Sequence, residues 1–191
     1  SFVSAFALDS IRNRVCGLHS LWVEAADTMD TEHVNHYERP GVLPIAFTVH
    51  HAINIEDSSV NFLMRGQLPI WHRDGWASRT AVAIDNHGKE LTVAEMESQR
   101  IGNWNAYKEY MHTVFAETES WLESLAPSDL ETVLFNGEFP DMFKKAYIAR
   151  VVQDQIRLVD AIECWVFQHG IRHMGELEHA RALVGLGGMT S

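Results

Sequence analysis

The sequence predicts an all-α protein, a four-helix bundle with a long connection after its second helix. Three observations carry that expectation. Apolar residues recur at steps of three and four over four long segments. A turn-rich stretch separates the second segment from the third. The length, 191 residues with 46% hydrophobic and 21% charged side chains, suits a single domain spanning residues 1–191 around a real core.

The first helix is expected over residues 6–27, where Ile11, Val15, Leu18, Leu21, Trp22 and Ala25 share one face. A polar stretch then runs to the breaker Pro40-Gly41. The second helix is expected over residues 43–63, with Pro44 in its first turn. Phe47, His51, Ile55, Ser58 and Phe62 line one of its faces. Residues 66–91 form the long connection, which holds two tryptophans in Trp71-His72-Arg73-Asp74-Gly75-Trp76 and a second turn at Asn86-His87-Gly88. A connection of this length is a candidate lid or pocket wall, or else a surface loop anchored by its tryptophans.

Thr92-Val93-Ala94-Glu95 matches a capping box, so the third helix is expected from Thr92 to about Leu125, ahead of Ala126-Pro127. The fourth is expected over residues 141–184. Its stripe, Ile148, Val152, Ile156, Val159, Ile162, Val166, His169, His173, Leu177, Ala180 and Val184, covers 36 residues in ten steps, a mean of 3.6. Gly185-Leu186-Gly187-Gly188 ends it, and Gly170 and Gly175 are candidate sites for a kink.

The formal net charge of −11 repels phosphate backbones, which argues against nucleic-acid binding. The opening residues Ser1-Phe2-Val3-Ser4-Ala5-Phe6 lack the basic region of a signal peptide. No stretch approaches the roughly 18 apolar residues of a membrane span. A cytoplasmic protein with no membrane partner is the expectation. Cys16 and Cys164 form no CxxC pair and read as two buried thiols. Six tryptophans and nine phenylalanines exceed what one bundle buries, so a homodimer is a candidate assembly.

The chemistry concentrates in the eleven histidines. His169 and His173, four residues apart, project from one helical face and lie on the apolar stripe of the fourth helix. Buried imidazoles need polar partners, and a divalent metal ion satisfies two at once. The alternative is a pair of core histidines bonded to their neighbours. A third ligand comes from the second helix, where periodicity leaves both His51 and the adjacent His50 open. Three neutral imidazoles leave further metal positions open to water or substrate, the pattern of a catalytic site. Zinc and nickel both suit the donor set. Glu56, Asp57, Glu163, Glu176 and Glu178 are candidates to orient the imidazoles, and Glu56 and Glu176 are also candidate bases.

At His50-His51-Ala52-Ile53-Asn54-Ile55-Glu56-Asp57 and His169-Gly170-Ile171-Arg172-His173-Met174-Gly175-Glu176-Leu177 the chain resembles the DinB-like superfamily, which includes YfiT-like proteins and thiol-dependent S-transferases. The ending Arg181-Ala182-Leu183-Val184-Gly185-Leu186-Gly187 and the loop from Trp71 to Trp76 are similar too. The resemblance implies an up-down-down-up four-helix bundle and places the metal ligands on His51, His169 and His173. His51 is favoured over His50 because Glu56 follows it by five residues. Some thiol-dependent members carry Glu at the position of His169, so the chain resembles the all-histidine branch.

Three functions follow as expectations. The first is a metal-dependent transferase that joins a low-molecular-weight thiol to a small electrophilic substrate. Trp71, Arg73 and Trp76 would then bind substrate, and Arg65, Arg73, Arg79 and Arg172 would anchor the thiol. The second is metal-assisted hydrolysis. The third is a non-catalytic metal- or ligand-binding protein.

Overall fold

The computed structural model describes residues 2–189 and turns the apolar stripe of the first segment inward along its whole length. Helix α1 (Phe2–Asp27) buries Leu8, Ile11, Val15, Leu18, Trp22 and Ala25, spaced by threes and fours. Arg181 ties off its end. One guanidinium nitrogen donates to the Ala25 carbonyl at 3.3 Å and the Thr28 hydroxyl at 2.8 Å, so a cation sits at the negative end of the helix dipole. Cys16 is exposed, against the expectation of two buried thiols. It sits beside Val15, just off the inward stripe. Cys164 is buried, and neither cysteine is in a disulfide.

Helix α2 (Ile45–Asp57) continues through a π-helical stretch, Ser58–Met64. It is covered on nearly every side, and within Ile45–Asp57 only His51 and Ile55 are less than fully buried. Behind it the connection is held by one carboxylate. Asp57 is fully buried and accepts from the amides of Ile70 and Trp71, from Asn61 and from the Tyr110 hydroxyl, each at 2.8 Å. Substituting Asp57→Asn keeps the shape but puts an amide donor where a donor must be received. A loss of about 1–3 kcal/mol in urea denaturation is expected, the usual cost of a buried donor left unsatisfied. A loss below measurement error would show that the loop does not depend on this carboxylate.

The Thr92–Glu95 capping box forms, with the Glu95 carboxylate accepting from the Thr92 amide at 2.8 Å, but it opens only the single turn Val93–Met96. The expected long third helix is therefore shorter: α3 spans Trp104–Ser124, capped by Asn103, which accepts from the Ala106 amide. The chain must first double back between the two. Gln99 bonds both backbone groups of Ile84 at 2.8 Å. Gly102 passes so close to Ala81 that a side chain there would meet its Cβ at 2.9 Å.

The expected fourth helix is also corrected. Residues 141–157 are not part of it. They hold the one-turn helices Asp141–Lys144 and Ile148–Val151 and the strand β2 (Gln155–Arg157), which pairs antiparallel with β1 (Val133–Asn136). The stripe was misleading there because Ile148 and Ile156 are buried without sharing a helix. Ile156 is the buried centre of an exposed–buried–exposed strand. Asp160 starts the true helix by accepting from the Arg157 amide at 2.9 Å. Helix α4 then runs unbroken through Leu158–Ala161, a π-helical Ile162–Gln168 and His169–Leu183. Gly170 does not break it: a methyl at that position would lie 2.5 Å from Leu18, so the glycine is where α4 closes on α1.

α2 packs on α3 and α4, and α1 packs on the same two, which closes the ring of four long helices. The fold is all-α as expected, with the small two-stranded sheet as an addition. Among the described residues no helix is long and apolar enough to cross a membrane. Ser1, Thr190 and Ser191, the ends of the expected domain, lie outside the described residues.

Candidate metal centre

The α2–α4 contact brings His51, His169 and His173 together. Each offers a ring nitrogen, and these atoms all lie within 4.8 Å of one another. The ring centroids are 5.2 Å apart for His51–His169, 4.7 Å for His51–His173 and 4.4 Å for His169–His173. The π-helical turn ends at Gln168, immediately before the pair, a position where such turns often sit beside functional sites.

Two hydrogen bonds fix which nitrogens are free. His51 Nδ1 faces the His87 carbonyl at 2.7 Å, and a carbonyl only accepts, so Nδ1 carries the proton and Nε2 the lone pair. His173 Nδ1 donates to the Glu176 carboxylate at 2.8 Å, which leaves its Nε2 facing His169 Nε2 at 3.1 Å. Burial, together with the neighbouring His173, pushes His51 down to about 4. Burial first, then His173 and His51, lowers His169 far below its ordinary value. Histidine binds a metal through a ring-nitrogen lone pair; the bonds at Nδ1 leave Nε2 of His51 and of His173 for that role, and His169 Nε2 lies 3.1 Å from His173 Nε2, so the donor set fits a divalent ion.

The neighbouring His50 is used otherwise. Its Nε2 donates to the Asp85 carbonyl at 3.0 Å and its Nδ1 accepts from the Tyr107 hydroxyl at 3.1 Å. Burial pushes it to about 4. Both nitrogens are taken, so the structure joins His51 to the pair and leaves His50 in the core.

The triad opens onto a cavity of about 590 Å³ whose walls include Phe47, Ile55, Phe62, Phe143 and Trp165. Its volume and apolar lining are those of a small-molecule site. The sequence reading missed the wall supplied by residues 142–148, which it placed inside a helix. It also missed His87. The loop carrying His87 can press onto α2 because Gly88 has a φ of +79° and a methyl there would lie 2.5 Å from Phe47. His87 Nδ1 accepts from the Lys89 amide at 3.1 Å, so its Nε2 is a donor. Burial, followed by the charge of Lys89, lowers its pKa. The Asn86-His87-Gly88 turn was legible, but its contact with α2 was not.

Other expected site residues lie elsewhere. Glu56 is five residues beyond His51, about 140° round the helix. It is buried against His19 at 2.9 Å and the Thr118 hydroxyl at 3.1 Å. Asp57 holds the loop, Glu163 pairs with Arg14, and neither Glu163 nor Glu178 lines the cavity. Only Glu176 of the expected carboxylates reaches the triad. Trp71 and Trp76 are core residues packed against Tyr110, Trp71 edge-on and Trp76 tilted, because their large rings fill the space under the connection. Arg65 and Arg73 share Glu117, and Arg79 lies over the Trp76 ring at 3.6 Å. Of the expected cationic anchors, Arg172 alone lines the cavity.

The sequence profile of the DinB superfamily matches residues 18–177, a span that includes all three histidines. No curated protein matches the chain. Among solved structures, the crystal structure of a conserved protein from Enterococcus faecalis superposes with a TM-score of 0.62 at 19% identity, over 96% of each chain. At that identity the likeness is one of fold.

Proposed function

The chain belongs to the DinB superfamily, and from that premise we propose that it is a metal-dependent enzyme that joins a low-molecular-weight thiol to a small electrophile. The ligands are His51, His169 and His173, and zinc or nickel is the ion. The bound ion supplies a positive charge that stabilises a thiolate at neutral pH. What carries the reading is the meeting of three imidazoles, their ring nitrogens within 4.8 Å of one another, with a largely apolar cavity. His51 is oriented by the His87 carbonyl and His173 by Glu176. The phenyl and indole walls exclude water from the nucleophile, and His87, which also lines the cavity, has Nε2–H as a hydrogen-bond donor.

Transfer to a thiol is favoured over hydrolysis by the shortage of bases. Among the described residues that line the cavity Glu176 is the only carboxylate, and it is already engaged by His173. A water nucleophile needs a group to take its proton, whereas a thiolate has already lost one.

The test is anaerobic incubation of zinc- or nickel-loaded protein with bacillithiol, mycothiol or cysteine and 1-chloro-2,4-dinitrobenzene. The sulfur–carbon bond forms, chloride leaves and the thiol proton passes to solvent. Adduct should form at least about tenfold faster than with chelator-treated protein, a barrier difference of about 1.4 kcal/mol. Equal rates with and without metal for every thiol would rule out this chemistry, and release of a phenol without added thiol would favour hydrolysis.

A further inference from the structure

We propose that the cavity over the three histidines selects an amphipathic anion, holding an apolar or aromatic body against its walls and a carboxylate between Lys145 and Arg172. The inference rests on reading this cavity as the place where substrate is held, and it adds the substrate's chemical class.

The first observation is charge. The chain carries 26 acidic and 15 basic side chains, so most cations find a carboxylate. Arg12, Arg14, Arg65, Arg73, Arg79, Lys108, Lys144 and Arg157 all do. Lys89, Lys145 and Arg172 line the cavity, yet among the described residues none of them makes an ion pair. Arg150, also without an ion pair among the described residues, joins Lys145 and Arg172 in an adjoining hollow of about 470 Å³. Among the described residues no carboxylate lines that hollow, and Lys144, its other cation, is held by Glu138 at 2.9 Å. In a protein of net charge −11, a concentration of free cations at one opening creates a local field that draws in an anion.

The second observation is polarity along the cavity. The hollow shares Lys145, Ala146, Tyr147 and Arg172 with the cavity but includes none of the histidines. Glu176, the cavity's carboxylate, is bonded to His173. The cavity that holds the three histidines therefore opens into a hollow lined by cations, along a lining that is largely apolar. The mouth keeps apolar surface in contact with solvent: Phe62 is 62% exposed and Met142 52%. Covering such side chains with a hydrocarbon or ring removes apolar surface from water, which is favourable, and a paired guanidinium and ammonium suit a carboxylate. A molecule with its reacting atom at one end and its charge at the other fills this shape.

Isothermal titration of zinc-loaded protein with decanoate, 1-decanol and acetate tests the inference. Decanoate should bind at least about tenfold more tightly than 1-decanol, and acetate only weakly. The Lys145→Gln/Arg172→Gln double variant should lose about tenfold in decanoate affinity and nothing in 1-decanol affinity. Rising salt should weaken decanoate alone. Both side chains are exposed, so an unchanged thermal midpoint and zinc stoichiometry show that the fold and the triad are intact. Decanoate affinity equal in variant and parent overturns the inference. So does decanoate binding that vanishes with chelator yet ignores the double substitution, because the carboxylate then goes to the metal. Cation-dependent decanoate binding by a protein that takes up no zinc would support the inference while the metal-dependent reading fails.

Discussion

Substituting His51→Ala or His173→Ala abolishes stoichiometric zinc or nickel binding. Each change removes one of three converging nitrogens. His51→Ala leaves two imidazoles four residues apart on one helix and His173→Ala leaves one imidazole on each of two helices, and either pair is a weak chelate that His50, committed to Tyr107 and Asp85, does not complete. Loss of an outer partner typically weakens a metal site by about 10–100-fold, and loss of a direct ligand weakens it by more. Three variants therefore form a graded series. Glu176→Gln keeps the His173 orientation but not the charge and should fall about 10–100-fold. His51→Ala should fall beyond that range. His50→Gln should retain the metal while losing thermal stability. Elemental analysis after dialysis reads all three. One metal per chain in the His51→Ala/His173→Ala double variant would show that the ion is held elsewhere, and loss of metal in His50→Gln with retention in His51→Ala would reverse the choice between the neighbours.

That choice shows where the sequence was legible and where it stopped. The α4 stripe put His169 and His173 inward because a helix that touches its bundle on one side carries a 3.6-residue signal, and of that stripe His173 and Leu177 are buried and His169 half-buried. α2 offers no such signal. It is covered by its neighbours almost all round, so apolar residues occupy both candidate lines and periodicity cannot separate His50 from His51. Only the hydrogen-bond partners do, and those come from the 81–91 loop. The same limit explains Glu56. Its spacing from His51 suggested a shared site, but a step of five residues turns it away, toward α1 and α3. Residues 141–157 were misread for a different reason. Isoleucines at 148 and 156 satisfy a helical period and an even strand period at once. What decides between them is Asp160 capping the helix at Arg157, a local polar signal that the apolar stripe obscured. The connection combines the two roles the sequence offered: Trp71 anchors it, donating its indole N–H to Asp85 at 2.7 Å and packing on Tyr110, while His87 and Lys89 form part of the pocket wall.

Raising the pH from 6.5 to 9 should weaken the wild-type fold, and substituting His19→Gln should remove most of that dependence. His19 on α1 lies between two carboxylates. Its Nε2 meets Glu56 of α2 at 2.9 Å and its Nδ1 meets Glu119 of α3 at 3.1 Å. Only an imidazolium can donate from both nitrogens. Phe115 stacks on the ring at 3.9 Å, which also favours a cation. Burial by itself lowers the His19 pKa, but the charge of Glu56 and the hydrogen bonds to Glu119 and Glu56 outweigh it and raise the value to about 9. In the unfolded chain it returns to about 6.5. The folded state therefore holds the proton more tightly. The stabilisation is complete below pH 6.5 and is lost as pH rises through about 9, by an amount on the order of a few kcal/mol. His19→Gln leaves the Glu56 carboxylate buried with the Thr118 hydroxyl but no positive partner. Such a change typically costs about 3–5 kcal/mol, which should be largest near pH 6 and shrink toward pH 9. Urea denaturation of both proteins at pH 6, 7.5 and 9, in chelator so that metal binding does not add its own pH dependence, separates the two contributions. Parallel stability curves across that range would mean that His19 is neutral in the fold. Converging curves would mean that one buried imidazolium ties together the three helices α1, α2 and α3, on the side of α2 turned away from His51.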